Sequence, residues 1–294
     1  MGNPMSHQDI WSQWLLHRRF GGDPQRLKVV MELLTPIRDS VLSHAALHDG
    51  DVMLDVGCGD GLLAFGALES TGVGRVIFSD ISQDLLDHAQ RLAQTMGVAA
   101  RCDFLRASAD DLSALDEASV DAVTTRSVLI YVAAKQAALG EFYRVLKPGG
   151  RLSIFEPINA FAFPEPDPRF DGYDVTPVID LARKVKALYL ALQPPGSDPM
   201  LDFAEDDLIR FAKNAGFGEI HLDYQVTIKP NVDDVSWDMM LRVPGNPRIP
   251  NLEEAMQQTL SAEETRRFVE HLRPLVEAKR GIVRQAVAYL WAVK

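Results

Sequence analysis

The sequence predicts an α/β fold, a doubly wound and mostly parallel sheet with helices on both faces. Two observations carry that expectation. Residues 52–64 read as a buried strand, a tight glycine turn and a helix start. Met53, Leu54 and Val56 supply the apolar run of a strand covered on both sides. Gly57, Gly59 and Gly61, at every second position, let the backbone take positive φ or approach a ligand with no Cβ between. The alternation of strand and helix then recurs through five units up to residue 157, which is the pattern of a parallel sheet with crossover helices. A helix opening near Leu62 points its free N–H groups back at the glycine turn. The carboxyl edge of such a sheet is where a nucleotide-like ligand binds.

Composition narrows the class of protein. A chain of 294 residues can bury a large core without staples. Cys58 and Cys102 form neither a disulfide framework nor a metal-ligand spacing, so no metal is expected and a reducing cytoplasm is. The net charge of −11 argues against nucleic acid or an anionic membrane as partner. No apolar run approaches the ~20 residues that span a bilayer, and the first ten residues carry no signal-peptide core. The expectation is a cytoplasmic protein whose partner is a small molecule.

Taken in order, residues 8–20 form an amphipathic helix with Trp11, Trp14 and Leu15 on one face. Gly21, Gly22, Asp23 and Pro24 stop it, and Pro24 suits the first turn of a second helix. Thr35 and Pro36 read as an N-cap and restart, with Ile37, Val41 and Leu42 on the apolar side. These first 50 residues are either a packing helix pair or a lid carrying Trp11, Trp14 and the basic Arg18–Arg19 over a ligand. The opening strand follows, then a helix to Ser70 and a strand over 75–79 ending at Asp80. An acid there can accept from both hydroxyls of a ribose, although a helix N-cap is the plainer role for any such Asp. A short strand over 98–105 leads to Ser108 and Ala109, and a fourth over 120–125 ends at Arg126. Arg126 suits a carboxylate, by its bidentate fork, or a surface salt bridge. A helix over 136–146 and a strand over 151–157 complete the fifth unit.

The spacing D-x-G-x-G-x-G from Asp55 to Gly61 is not the dinucleotide fingerprint, which would place glycine at Leu62. An acid beside a pyrophosphate would repel it, whereas a ligand with an amino group tolerates one. The stretch resembles motif I of the class I S-adenosylmethionine (SAM) dependent methyltransferases. Residues 80–89, DISQDLLDHA, and 145–152, VLKPGGRL, are similar to two further motifs of that family in the family's order. The resemblance covers residues 50–157. It implies SAM as cofactor, S-adenosylhomocysteine (SAH) as product and a seven-stranded Rossmann-like sheet whose last strand is antiparallel. It also implies roles: Gly57, Cys58, Gly59 and Gly61 pass close to the methionine and ribose, Asp55 serves the amino group and Asp80 the ribose diol. Ile81 packs on the adenine, and Ser108 and Ala109 lie at its rim. Ser108 stands where the family often has an acid, and its hydroxyl can accept from the adenine amino group in that place.

Beyond Glu156 the chain becomes additions to the core. Residues 157–174 are a proline- and aromatic-rich loop expected to fold over the site, and Thr176–Pro177 starts a helix. Residues 203–215 form a helix ended by Gly216, and 217–229 a sixth strand. An insertion over 230–281 holds an apolar helix with Trp237, Met239 and Met240, and a helix from a capping box at Ser261, interrupted at Pro274. Residues 282–293 give the seventh strand. The expected organisation is an N-terminal lid (1–50), a SAM-binding core (51–157), cap segments and sixth strand (158–229), a helical insertion (230–281) and a last strand (282–294).

Methyl transfer from a sulfonium is an in-line displacement, so the main tasks are alignment and exclusion of water. No histidine falls at a strand end, and the candidate bases are Glu156, Tyr131, Asp171 and Tyr173. A small-molecule methyltransferase is the reading adopted. A SAM-binding relative that performs no chemistry is the alternative, and a dehydrogenase the outsider. The helical additions could also pair two copies as a homodimer.

Overall fold

The computed structural model describes residues 9–18, 24–231 and 236–294. Two helices, α1 (Ile10–Leu16) and α2 (Pro24–Ala45), precede the sheet. The core then runs β1 (Val52–Val56), α3 (Leu62–Ser70), β2 (Arg75–Asp80), α4 (Gln83–Thr95), β3 (Cys102–Arg106), β4 (Val120–Arg126), α5 (Lys135–Val145) and β5 (Leu146–Pro157). A two-stranded hairpin of β6 (Arg169–Phe170) and β7 (Tyr173–Asp174) leads to α6 (Ile179–Leu192), α7 (Glu205–Ala215) and β8 (Glu219–Pro230). The chain ends with α8 (Trp237–Arg242), α9 (Leu252–Thr259), α10 (Ala262–Glu277) and β9 (Ile282–Val293).

The main sheet has seven strands in the order β3-β2-β1-β4-β5-β9-β8. β1 to β5 are parallel, and β9 is antiparallel to both β5 and β8. β1, at the point where the order reverses, is buried at Met53 and Leu54, as its apolar run requires. The reversal opens a crevice above the carboxyl ends of β1 and β4. One apolar layer, with Phe142 and Leu146, packs beneath α5 and α7, and a second, with Phe65 and Phe78, beneath α3 and α4.

A third core stands apart from the sheet. Phe170, Tyr173, Leu181, Val185, Phe268 and Leu272 join the hairpin, α6, α8, α9 and α10 into one cap. The expected division into segments 158–229 and 230–281 is thus redrawn by packing. The hairpin and α6 belong with the insertion, while α7 and β8 belong with the sheet.

Four local expectations change. The break at Thr35–Pro36 is absent, because α2 runs straight through Pro36. Thr35 Oγ1 donates to the Met31 carbonyl at 2.7 Å, inside the same helix, instead of capping a new one. Likewise α10 continues past Pro274 to Glu277, the proline costing only one hydrogen bond near the helix end. The third strand begins at Cys102, with a 3-10 turn over Ala99–Arg101 in place of its expected first residues. The first helix is shorter than 8–20, and Arg19 and the Gly21–Asp23 stop lie outside the described residues.

Candidate functional site

The glycine turn between β1 and α3 takes three left-handed residues, Gly57 at φ +64°, Gly59 at +57° and Gly61 at +86°. A Cβ on Gly57 would lie 2.4 Å from a Val128 methyl, and one on Gly61 2.4 Å from the Phe65 ring. Side chains at these places would be both strained and in collision. The N–H of Gly61 donates to the Cys58 carbonyl and that of Cys58 to the Ser79 carbonyl, which closes the turn onto β2.

Two carboxylates are fixed around it. Asp55, 2% exposed, accepts from Thr124 Oγ1 on β4 and from the Ala64 N–H at the start of α3, each at 3.2 Å. Burial pushes its carboxyl up to about 7, with those two hydrogen bonds and the Arg126 charge pulling the other way. Asp80 accepts from the Gly59 N–H and the Ser82 N–H, each at 2.9 Å. Burial raises its carboxyl too, offset in part by those amides. A carboxylate has about four lone-pair sites, so the two amides leave capacity for a ligand's hydroxyls.

A cavity of about 430 Å³ opens above this turn, lined by Asp55, Gly57, Cys58, Gly59, Asp80, Ile81, Ser108, Ala109 and Arg126. Nine of the ten sequence-derived cofactor positions thus meet on one wall. Gly61 does not reach it, and serves instead as the left-handed N-cap of α3. The Arg126 side chain makes no hydrogen bond or ion pair among the described residues. Ser108 and Asp110 are in close hydrogen-bonding contact on the cavity wall, so Asp110 lines the cavity as well.

The opposite wall is α1. Trp11, Trp14 and Leu15 line the cavity, and a Leu15 methyl would lie 3.2 Å from a Cβ on Gly59. The helix is latched to the turn that carries Asp80. The Asp9 N–H donates to Asp84 at 2.9 Å, Ser82 Oγ donates to Asp9 at 2.6 Å, and Ser12 Oγ reaches Asp84 at 3.4 Å. The other Asp9 oxygen caps α1 on the Trp11 and Ser12 N–H groups. Trp11 meets Tyr131 edge to face at 4.8 Å. Arg248, from the loop between α8 and α9, stacks near both rings and donates to the Tyr131 carbonyl at 3.3 Å. No periodicity or motif pointed to Arg248, because it lies in an irregular proline-rich loop.

The candidate bases separate. Tyr131 faces the cavity. Glu156 does not: it is fully buried and accepts the N–H groups of Val128, Leu129 and Ile130 at 2.9, 2.9 and 3.3 Å. It fixes the 3-10 turn Leu129–Tyr131 and does not line the cavity, while burial pushes its carboxyl up to about 7 against those amides. Tyr173 is buried in the cap core. Asp171 lies on a second cavity of about 670 Å³ between the 159–171 loop, α6 and the cap, away from the glycine turn. Asn159, Met200 and Gly245 line both cavities.

Residues 54–154 match the family model described as a methyltransferase domain. The ubiquinone/menaquinone biosynthesis C-methyltransferase UbiE of Francisella tularensis is 32% identical over 120 residues, 40% of this chain and 48% of that protein. The chain spans about half the length of the curated relatives it matches. Among solved structures, phosphoethanolamine N-methyltransferase 2 of Haemonchus contortus, in complex with SAH, aligns at TM-score 0.52 and 17% identity, covering 97% of this chain and 56% of that one. The [4+2]-cyclase SpnF aligns at TM-score 0.52 and 20% identity, over 88% of this chain and 80% of its own. At these identities the likeness is one of fold.

Proposed function

We propose that this chain, whose residues 54–154 form a class I methyltransferase domain, binds SAM above β1 and transfers its methyl group to a small molecule. The observation that carries the reading is the wall that joins a Cβ-intolerant glycine turn to two buried carboxylates under an aromatic helix. SAM supplies a methyl group already activated on a sulfonium. Everything else falls to the chain's own residues. Gly57 and Gly59 admit the amino-acid and ribose parts at backbone distance, Asp55 faces the ammonium and Asp80 the ribose diol. Ile81, half exposed on the cavity wall, offers an apolar plate to the adenine, with Ser108, Ala109 and Asp110 at its rim. Trp11, Trp14 and Leu15 exclude water from the transfer, which an in-line displacement needs. Arg126, whose charge acts on Asp55 and whose side chain has no ion-pair partner among the described residues, suits a carboxylate of cofactor or acceptor. Of the four candidate bases, Tyr131 is the one that lines this cavity.

Binding without transfer is the second reading. Two observations favour it: among the described residues no histidine lines either cavity, and Glu156 is committed to backbone amides. Incubation with SAM and a broad acceptor panel, with SAH release read by mass spectrometry, separates the two. Release that depends on the acceptor supports transfer. SAM bound with no release across the panel supports the binding-only reading, and tight NAD binding without SAM binding would return the chain to the dehydrogenases.

A further inference from the structure

The second cavity is an apolar chamber whose acids outnumber its cations, and one of those acids, Asp171, has neither a cation nor an amide as partner among the described residues. Phe163, Phe170, Tyr189, Leu190, Met240 and Ile249 supply its apolar lining. Its volume of about 670 Å³ falls in the ordinary range of ligand sites, roughly 300–1,000 Å³. Five charged side chains line it: Glu165, Asp167, Asp171, Arg183 and Lys186. Both cations are spent on one acid, for Arg183 binds Asp167 at 2.8 Å and Lys186 binds it at 3.1 Å. Lys186 also donates to the Glu165 carbonyl at 2.9 Å, and Glu165 Oε1 accepts the Gly172 N–H at 2.8 Å. Asp171 is left with no hydrogen bond or ion pair among the described residues, while its side chain stays open to the cavity.

Asp171 is exposed to the cavity, so a cation can pair with it without displacing a partner among the described residues. The surrounding protein, with a smaller push from Glu165, raises the Asp171 carboxyl to about 6, so it remains mostly ionised at neutral pH. The chamber meets the first cavity at Asn159, Met200 and Gly245, which line both. The net charge of −11 draws cationic small molecules to the chain as a whole.

We infer that the second cavity is the acceptor chamber and selects an elongated apolar molecule with a protonated amine at one end. The amine pairs with Asp171, and the opposite end reaches Asn159, Met200 and Gly245, where the atom to be methylated meets the first cavity. The inference rests on the reading of the first cavity as the SAM site.

Isothermal titration tests it with three matched probes: 4-phenylbutylamine, 4-phenylbutan-1-ol and 4-phenylbutyric acid, each added to protein saturated with SAH. The amine is expected to bind about tenfold or more tighter than the alcohol, the gain of one charge-assisted contact, and the acid weakest. Asp171→Asn should erase that preference while leaving SAH affinity unchanged. Equal binding of amine and alcohol, or a preference that survives Asp171→Asn, overturns the inference while SAH still binds. Failure of SAH to bind wild-type protein instead counts against the cofactor reading, so the two failures are distinguishable.

Discussion

Asp55 and Glu156 are acids near the carboxyl ends of β1 and β5, the two strands that flank β4, and burial pushes both up to about 7. Their surroundings give them different work. Asp55 keeps one face toward the cavity, whereas Glu156 is consumed by three amides of the turn after β4. Sequence alone set Asp55 toward an amino group and made Glu156 a candidate base; it missed the turn that takes up Glu156, which lies 26 to 28 residues earlier in the chain. A consequence follows for pH. Below about 7 the free Asp55 is protonated and offers no charge to an ammonium. Binding of SAM then has to release that proton, and affinity rises with pH through about 7 and levels above it. Between pH 8 and pH 6 the affinity should fall about tenfold, and Asp55→Asn should flatten the profile while binding more weakly at pH 8. A profile that stays steep in Asp55→Asn would assign the titration to another group. Gly57 gives a second test at this scale. Gly57→Ala sets a side chain at φ +64° and 2.4 Å from Val128, so a stability loss of about 1–3 kcal/mol should appear as a lower urea midpoint, together with loss of SAH binding.

At the level of elements, α1 is a short helix held by side chains rather than by length. Its seven residues are too few to persist alone, and Asp9 both caps it and receives Ser82. Asp9→Ala should remove the cap and part of the latch, a loss of about 1 kcal/mol, which corresponds to about fivefold faster SAH release. Stopped-flow tryptophan fluorescence, with Trp11 and Trp14 as reporters, measures that rate, and an unchanged rate would make α1 a bystander. The apolar face of this helix was legible from Trp11, Trp14 and Leu15. The glycine turn, the capping box at Ser261 and the last strand over Ile282–Val293 were legible for similar reasons, each resting on local spacing. The prolines misled because their cost depends on where the helix ends and what covers the exposed carbonyl, and neither is written nearby. The capping box Asn251–Glu254 that opens α9 is a local signal too, and it went unread among the surrounding prolines.

Across the whole molecule, the sheet could be read from its sequence because each strand–helix unit announces itself within about 30 residues. The cap could not. Its core joins α6 to α9 and α10, segments some 70 residues apart, and amphipathic helices do not name their partners. The same division applies to the site: the donor side lies within the core motifs, while the chamber beside it is assembled from a loop, α6 and the insertion. Among the described residues no helix is long and apolar enough to cross a membrane. The central claim is that the wall formed by Gly57, Gly59, Asp55 and Asp80 holds the methyl donor. The most direct measurement is titration of SAH into wild-type protein and into Asp80→Ala, with NAD as the competing ligand. One site for SAH in wild type, weakened about tenfold or more in Asp80→Ala by the loss of charge-assisted contacts, with no NAD binding, is the predicted result. Equal SAH affinity in the two proteins, or tight NAD binding in the absence of SAH binding, would contradict it.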